Sequence, residues 1–271
     1  MTAIAGETKV IAHRGFCGIY PENSVHAITA MDRHSAAAIE LDVLPSKDGV
    51  PVVCHDETLK RIAGTKETDE KLWDMSCSEI TDTLIFQTDQ TIPTLETALD
   101  VLPNKVDVHI ELKNPGIDTV YTGRCPSPEV TIDQIPKWIP FIENVVNILD
   151  QSGTRYMIAS SREACIAATH EIDKKIDTIY FIIDDIRSEW TIANQYDCSV
   201  LSICKEQLLD EDGRVNYDSE FVSNTIPNLA EQSDIDIHVW TVTNWLEACS
   251  LDSIFVDAIL ADYPKLLDFN R

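Results

Sequence analysis

Ionisable side chains stand at the ends of three apolar segments that otherwise have the composition of buried strands. They are His13, Arg14, Glu40, Asp42, Glu111 and Lys113. Side chains alternate between the two faces of a strand, so Glu40 and Asp42 share one face of theirs. Three carboxylates aimed at one point repel each other unless a cation neutralises them. A hard divalent ion with oxygen ligands, Mg²⁺ or Ca²⁺, is therefore expected at Glu40, Asp42 and Glu111.

The remaining charged groups indicate what this cation would act on. Arg14 and Lys113 suit a substrate anion, because an arginine grips phosphate through its planar fork and a lysine offers a point charge. His13 and His55 arrive from different segments, and two histidines beside a metal and a phosphate clamp favour general acid and base catalysis. The set predicts cleavage of a phosphodiester.

The strands and helices that position these residues can be predicted from the sequence. Short runs rich in β-forming residues alternate with longer amphipathic runs. Strands are predicted at residues 10–13, 38–43, 106–112, 156–160, 178–183, 199–203, 236–242 and 258–260. Helices are predicted most clearly at residues 24–37, 95–102, 136–151, 162–171 and 219–231. Eight strands with helical crossovers favour a closed α/β structure, the (β/α)8 TIM barrel. The 271 residues suit one such domain, which typically needs about 250.

One segment interrupts the alternation directly after the second strand. Asp48-Gly49 is a strong signal for a two-residue hairpin turn. Continued in register, that turn places Asp42 opposite His55. We therefore predict a hairpin and loop insertion over about residues 44–93, on the face of the barrel where barrel enzymes carry their active sites.

Eight short motifs occur in the order typical of one enzyme family. They are His13-Arg14-Gly15, Pro21-Glu22-Asn23, Glu40-Leu41-Asp42, Lys47-Asp48-Gly49, His55-Asp56, Glu111-Leu112-Lys113, Val239-Trp240-Thr241-Val242 and Asp262-Tyr263-Pro264. Over nearly the whole chain, the sequence resembles the glycerophosphodiester phosphodiesterases, which are phosphoric diester hydrolases. The resemblance implies a single domain over residues 1–271, and cleavage of a glycerophosphodiester to sn-glycerol 3-phosphate and an alcohol.

The resemblance also implies roles for individual residues. Glu40, Asp42 and Glu111 would hold one divalent cation, while Arg14 and Lys113 would contact the phosphate. His13 and His55 would be the acid–base pair, in an order that the sequence does not decide. The nucleophile would be either water or the glycerol hydroxyl next to the phosphate.

Four residues near this set have expected roles of their own, and three of them have two interpretations. Asn23 precedes a predicted helix and is expected to cap it. Glu22 is expected either in the same role or close to the metal. Asp56 is interpreted as orienting His55, with support of the loop as the alternative. Trp240 is interpreted as a wall on which glycerol stacks, with barrel core as the alternative.

Composition limits the partners. The chain carries 46 acidic and 21 basic residues, a formal charge of −25, which would repel nucleic acid and anionic membrane surfaces. A salt-rich cytoplasm would screen the self-repulsion, so an acidic proteome of haloarchaeal type is one hypothesis. No apolar run is long enough for stable membrane insertion, and no basic region precedes an apolar stretch at the N-terminus. We expect a cytoplasmic enzyme acting on a small molecule, in an oligomeric state that the sequence leaves open.

Two other functions remain. A similar barrel could cleave lysophospholipids in the manner of a lysophospholipase D or act on another lipid phosphodiester, and binding to vesicles would separate that function. A barrel that only binds would be expected to have lost at least one of the ionisable groups. All seven are present: His13, Arg14, Glu40, Asp42, His55, Glu111 and Lys113.

Overall fold

The computed structural model describes residues 8–31, 36–64, 69–103, 106–184, 186–217, 222, 235–254 and 256–264. The strands are β1 (Lys9–His13), β2 (Ala38–Pro45), β3 (Pro51–Val53), β4 (Asp107–Leu112), β5 (Tyr156–Ser160), β6 (Thr178–Ile182), β7 (Val200–Cys204), β8 (Asp236–Val242) and β9 (Ala258–Ala261). The α-helices are α1 (Val25–Thr29), α2 (Cys77–Thr81), α3 (Leu95–Asp100), α4 (Pro128–Ser152), α5 (Glu163–Ile172), α6 (Ile186–Gln195) and α7 (Trp245–Asp252).

Eight parallel strands close into a barrel. β1 pairs in parallel with both β2 and β9, and the sheet continues through β4, β5, β6, β7 and β8. β3 pairs with β2 alone, in the antiparallel direction. The predicted (β/α)8 barrel is therefore confirmed, and its strands lie within two residues of the predicted bounds. None of the described helices is long and apolar enough to cross a bilayer.

The helices differ more from the prediction. α4 begins at Pro128, eight residues before the predicted start at residue 136, and it continues through Pro136 and Pro140. Proline favours the first turn of a helix. The helix was therefore predicted to begin at Pro136, which lies inside it. α1 ends at Thr29, well before the predicted end. The helix predicted at 219–231 lies outside the described residues, apart from position 222.

Three apolar layers support the mouth of the barrel. Small and branched residues such as Ala38, Ala159 and Leu260 fill the interior. The helices pack against the outside of the strands, where Trp138 of α4 is fully buried. The insertion after β2 has a small core of its own, which includes Leu72 and Ile80. Burying such side chains fully contributes about 1.5–3 kcal/mol each, so both the barrel and the insertion give the site firm support.

The register of the hairpin was predicted wrongly by one residue. Gly49 has φ +79° and ends a three-residue loop, residues 47–49, in place of the predicted two-residue turn. Such loops commonly end in a left-handed glycine. The backbone amide of Cys54 donates to the carbonyl of Asp42 at 2.9 Å, so Asp42 lies opposite Cys54 and not opposite His55.

Candidate active site

The three predicted carboxylates meet at the mouth of the barrel. Asp42 of β2 and Glu111 of β4 are partners in adjacent strands, and Glu40 lies two residues before Asp42 on the same face. One oxygen of each lies within 4.8 Å of the others. All three side chains are buried, and Glu40 Oε1 has no hydrogen-bond partner among the residues that the structure describes. Burial and the charges of Asp42 and Glu111 raise the pKa of Glu40 well above its usual value.

Two cations neutralise part of this charge. Lys113 Nζ lies 2.9 Å from Asp42 Oδ1 and 2.8 Å from Glu111 Oε1, and Arg14 Nε lies 3.1 Å from Asp42 Oδ2. Burial alone would raise the pKa of Asp42, but Lys113 and Arg14 lower it far below its usual value. Both residues were predicted as phosphate contacts, and the structure places them against the carboxylates at the edge of the same cavity.

The donor atoms fit a hard divalent cation. They are carboxylate oxygens from two neighbouring strands, and oxygen ligands are what Mg²⁺ and Ca²⁺ take. Glu40 supplies the clearest sign, because a buried carboxylate oxygen without a partner is costly unless a ligand satisfies it. Glu40, Asp42 and Glu111 can therefore hold the predicted ion.

The turn after β1 brings Arg14 to these carboxylates. Arg14 and Gly15 have φ angles of +52° and +80°, and the amide of Arg14 donates to Glu40 Oε2 at 3.1 Å. A Cβ atom on Gly15 would lie 2.7 Å from the carbonyl carbon of Ala27 in α1. Only glycine fits this close, left-handed turn, which explains the motif His13-Arg14-Gly15 locally.

The prediction that Asn23 caps a helix was wrong. Asn23 has φ +57°, whereas an N-cap residue is extended. Ser24 is the N-cap of α1, and its hydroxyl accepts from the amide of Ala27 at 3.1 Å. Asn23 instead donates from Nδ2 to Asp42 Oδ2 at 2.9 Å, so its amide helps to hold a carboxylate of the cluster.

His13 is held by a carboxylate from the far end of the chain. Its Nδ1 lies 2.7 Å from Oδ1 of Asp262, which follows β9 directly, and β9 is the neighbour of β1. The thiol of Cys17 donates to the same oxygen at 3.2 Å. Asp262 was not predicted to have a role, although a polar residue at a strand end was the signal that found the others.

His55 belongs to a second pair, outside the barrel wall. Its Nδ1 lies 2.7 Å from Oδ1 of Asp56, in agreement with the predicted orienting contact. Arg61, which was not predicted, binds Asp56 at 2.6 Å and Glu22 at 2.7 Å. Burial, Lys113 and Arg14 outweigh the opposing carboxylates and lower the pKa of His55.

Glu22 extends this network to Arg14, which contacts the carboxylate cluster. Its Oε1 accepts from Arg14 Nη1 at 2.9 Å and from Arg61. Burial opposes ionisation, but the hydrogen bond from Arg61 and the charge of Arg14 lower the pKa of Glu22. Glu22 therefore links the two arginines and does not touch the carboxylate cluster through any described hydrogen bond.

A cavity of about 250 Å³ opens between these groups. One side is polar and includes Thr122, Ser161 and Arg162, none of which was predicted. The other side is apolar, and there Trp240 meets Phe181 edge to face with ring centroids 5.9 Å apart. Trp240 also donates from Nε1 to the carbonyl of Ser202 at 3.3 Å, so it lines the cavity while it packs on the barrel interior.

His109 and His238 lie away from this cavity. They stack at 5.6 Å between ring centroids and line a second cavity, of about 610 Å³, at the amino ends of the strands. Burial lowers the pKa of His109 to about 4. His109 shares a strand face with Glu111, but the two point into opposite ends of the barrel.

Sequence comparison with known proteins gives a family for this chain. The Glycerophosphoryl diester phosphodiesterase family matches residues 13–266. A glycerophosphodiester phosphodiesterase of Bacillus altitudinis is 37% identical over 121 residues, which span 41% of this chain and 49% of that relative.

Solved structures share the fold. The glycerophosphodiester phosphodiesterase of Thermotoga maritima gives a TM-score of 0.73 at 21% identity, over 98% of this chain and 99% of that one. An Oleispira antarctica phosphodiesterase, solved with the product sn-glycerol-3-phosphate, gives 0.72 at 22% identity, over 96% and 94% of the two chains. At these identities the likeness establishes the architecture.

Proposed function

Because the chain belongs to the glycerophosphoryl diester phosphodiesterase family, a family of phosphoric diester hydrolases, we propose that it hydrolyses glycerophosphodiesters to sn-glycerol 3-phosphate and an alcohol. One divalent cation, Mg²⁺ or Ca²⁺, assists. A single observation carries the proposal: buried carboxylates, paired cations and two histidine–aspartate pairs converge on one cavity. The Oleispira antarctica enzyme, with its bound sn-glycerol-3-phosphate, supports the choice of product.

Glu40, Asp42 and Glu111 are the proposed ligands of the cation. When bound, the ion would polarise the phosphoryl group and help to activate an oxygen nucleophile. Arg14 and Lys113 are held beside these carboxylates. Both side chains also line the cavity, where they can stabilise the negative charge of the phosphate.

His55 is the proposed proton acceptor. Its lowered pKa favours the neutral, proton-accepting form of the ring. Nδ1–H donates a hydrogen bond to Asp56, which leaves Nε2 to take a proton from the nucleophile. The nucleophile is water, or the neighbouring glycerol hydroxyl, in which case water opens the resulting cyclic phosphodiester in a second step.

His13 is the proposed proton donor to the leaving alcohol. It lies at the end of β1, on the cavity, and Asp262 fixes its ring through Nδ1. A donor and an acceptor on different elements can act on opposite sides of the phosphorus. Trp240 and Phe181 supply the apolar wall against which the glycerol carbons pack.

Release of glycerol 3-phosphate tests the proposal. Purified protein is incubated with glycerophosphocholine, glycerophosphoethanolamine or glycerophosphoglycerol, in Mg²⁺, Ca²⁺ or EDTA, at low and at molar salt. We expect release that EDTA abolishes. No release from any substrate by folded, cation-loaded protein would contradict the proposal, and lysophospholipids would then be assayed.

A further inference from the structure

Arg162 occupies a fixed place at the rim of the barrel. It lies two residues after the end of β5 and is the N-cap of α5, and its backbone bridges to Gly123. The amides of Cys165 and Ile166 donate to its carbonyl at 3.1 and 3.3 Å. Its side chain lines the active-site cavity. Backbone hydrogen bonds of the barrel therefore fix Arg162 at a position from which its side chain reaches the cavity.

The guanidinium of Arg162 has few partners among the described residues. Its Nη1 donates to the hydroxyl of Ser161 at a long 3.4 Å, and its buried Nε has no acceptor. In the part of the chain that the structure describes, no carboxylate forms an ion pair with it. Burial accordingly lowers the pKa of Arg162, although the charge of Glu111 opposes the shift.

The other two cationic side chains of the cavity, unlike Arg162, form ion pairs with carboxylates. Arg14 is paired with Asp42 and Glu22, and Lys113 with Asp42 and Glu111. Moving a cation out of water without a counter-charge is expensive. In a protein with a net charge of −25, an unmet cation facing the active site indicates that a ligand supplies the missing anion.

We propose that Arg162 is the receptor for an oxyanion of the ligand, and that the hydroxyls of Ser161 and Thr122 complete this subsite. The planar fork of arginine matches phosphate and carboxylate alike. The oxyanion is either the scissile phosphate or an acidic group on the leaving alcohol. The inference relies on the proposed function only for the identity of the substrate, since anion binding needs no turnover.

The first experiment measures binding of inorganic phosphate and of sn-glycerol 3-phosphate to the Mg²⁺-loaded protein by calorimetry. The second measures kcat/KM for glycerophosphocholine and for glycerophosphoserine, whose alcohol carries a carboxylate. Arg162→Gln is compared with Arg162→Lys and with the wild type. Arg155→Gln is the matched control, because it removes the same charge from an exposed side chain at the other end of the barrel.

Arg162→Gln should lower either the affinity for phosphate or kcat/KM for glycerophosphoserine by about 10- to 100-fold. This is the loss expected when the hydrogen bonds between an arginine and an anion are removed. Equal losses on both substrates, with weaker phosphate binding, identify the phosphate. A loss confined to glycerophosphoserine identifies the acidic group. Arg162→Lys should fall between wild type and Arg162→Gln. Values within about twofold of wild type in every assay would overturn the proposal.

Thermal melting separates a binding role from a structural one. Because the charge is unmet, Arg162→Gln should melt no lower than wild type in the absence of cation and phosphate. A lower melting temperature, together with phosphate binding and glycerophosphoserine kinetics like those of the wild type, would mean that Arg162 only supports the fold. If no glycerophosphodiester is cleaved at all, the proposed function fails, while calorimetric binding of phosphate and of glycerophosphoserine still decides the role of Arg162.

Discussion

The two histidine–aspartate pairs at the mouth of the barrel have the same contact distance and different surroundings. His13 and Asp262 end neighbouring strands, and their side chains are 15% and 26% exposed. His55 and Asp56 are consecutive residues on the insertion, with exposures of 35% and 23%. In each pair Nδ1 lies 2.7 Å from the carboxylate.

The difference lies in the second partner of each carboxylate. Asp262 also accepts from the thiol of Cys17, which burial keeps protonated by raising its pKa. Asp56 is bound by Arg61, which reaches Glu22 and through it Arg14. The barrel backbone thus orients His13, whereas a chain of ion pairs orients His55. Changes outside the barrel should therefore affect His55 more than His13.

Removal of either imidazole should have the largest effect. His13→Ala and His55→Ala are each expected to lower kcat on glycerophosphocholine by about 10²- to 10⁴-fold, because each removes one proton transfer. Circular dichroism and thermal melting check that the fold persists. A near-normal rate in a folded variant would remove that histidine from the mechanism.

Loss of the carboxylate partner of His13 should come next. Asp262→Asn keeps the shape but can present an amide donor to Nδ1, so the ring tautomer is no longer fixed. We expect kcat to fall by about 10- to 100-fold with KM little changed, as measured by steady-state kinetics. The acid limb of the pH–rate profile, which reports His55, should stay in place.

Loss of Arg61 should have a smaller effect. Arg61→Gln breaks the link between Asp56 and Glu22 but leaves the contact between His55 and Asp56, so we expect kcat/KM to fall by about three- to tenfold. Lys60→Gln is the control, because among the described residues Lys60 pairs only with the exposed Asp69. Equal rates in both variants would show that the ion-pair chain does not position His55.

Cation binding should change stability in a pH-dependent way. The raised pKa of Glu40 means that a proton competes with the cation at that carboxylate. Stabilisation by Mg²⁺ or Ca²⁺ should be fully present above that pKa and be lost as pH falls through it. Differential scanning fluorimetry at pH 5 and pH 8 measures this, with a shift of about 2–4 °C for each kcal/mol.

Glu40→Gln provides the matched control for that experiment. This variant lacks the titrating carboxyl group, so the cation should stabilise it less and with a weaker dependence on pH. A cation effect of the same size in wild type and variant, at both pH values, would place the ion elsewhere.

The barrel and the carboxylate cluster were predictable because each rests on a local rule. Strand periodicity placed Glu40 and Asp42 on one face, and parallel pairing then set Asp42 beside Glu111. Hydrophobic runs gave the strand bounds closely. The contacts that follow from one strand and its neighbour were therefore accessible from sequence.

The rest of the site depends on backbone detail and on residues distant in sequence. A single left-handed glycine, Gly49, changed the hairpin register by one residue. Asp262 reaches His13 across 249 positions, and Arg61 reaches Glu22 across 39. Arg162 could not be singled out, because in the sequence it is an ordinary residue at the start of a predicted helix. Only the structure shows that its side chain lines the cavity.

The most direct test of the difference between the two histidines uses a leaving group that needs no proton. The p-nitrophenyl ester of glycerol 3-phosphate releases a stable phenolate, so a general acid becomes dispensable while the base does not. We predict that His13→Ala regains most of the wild-type rate on this ester and that His55→Ala stays slow. Recovery of His55→Ala, with His13→Ala still slow, would contradict the assignment and exchange the two roles.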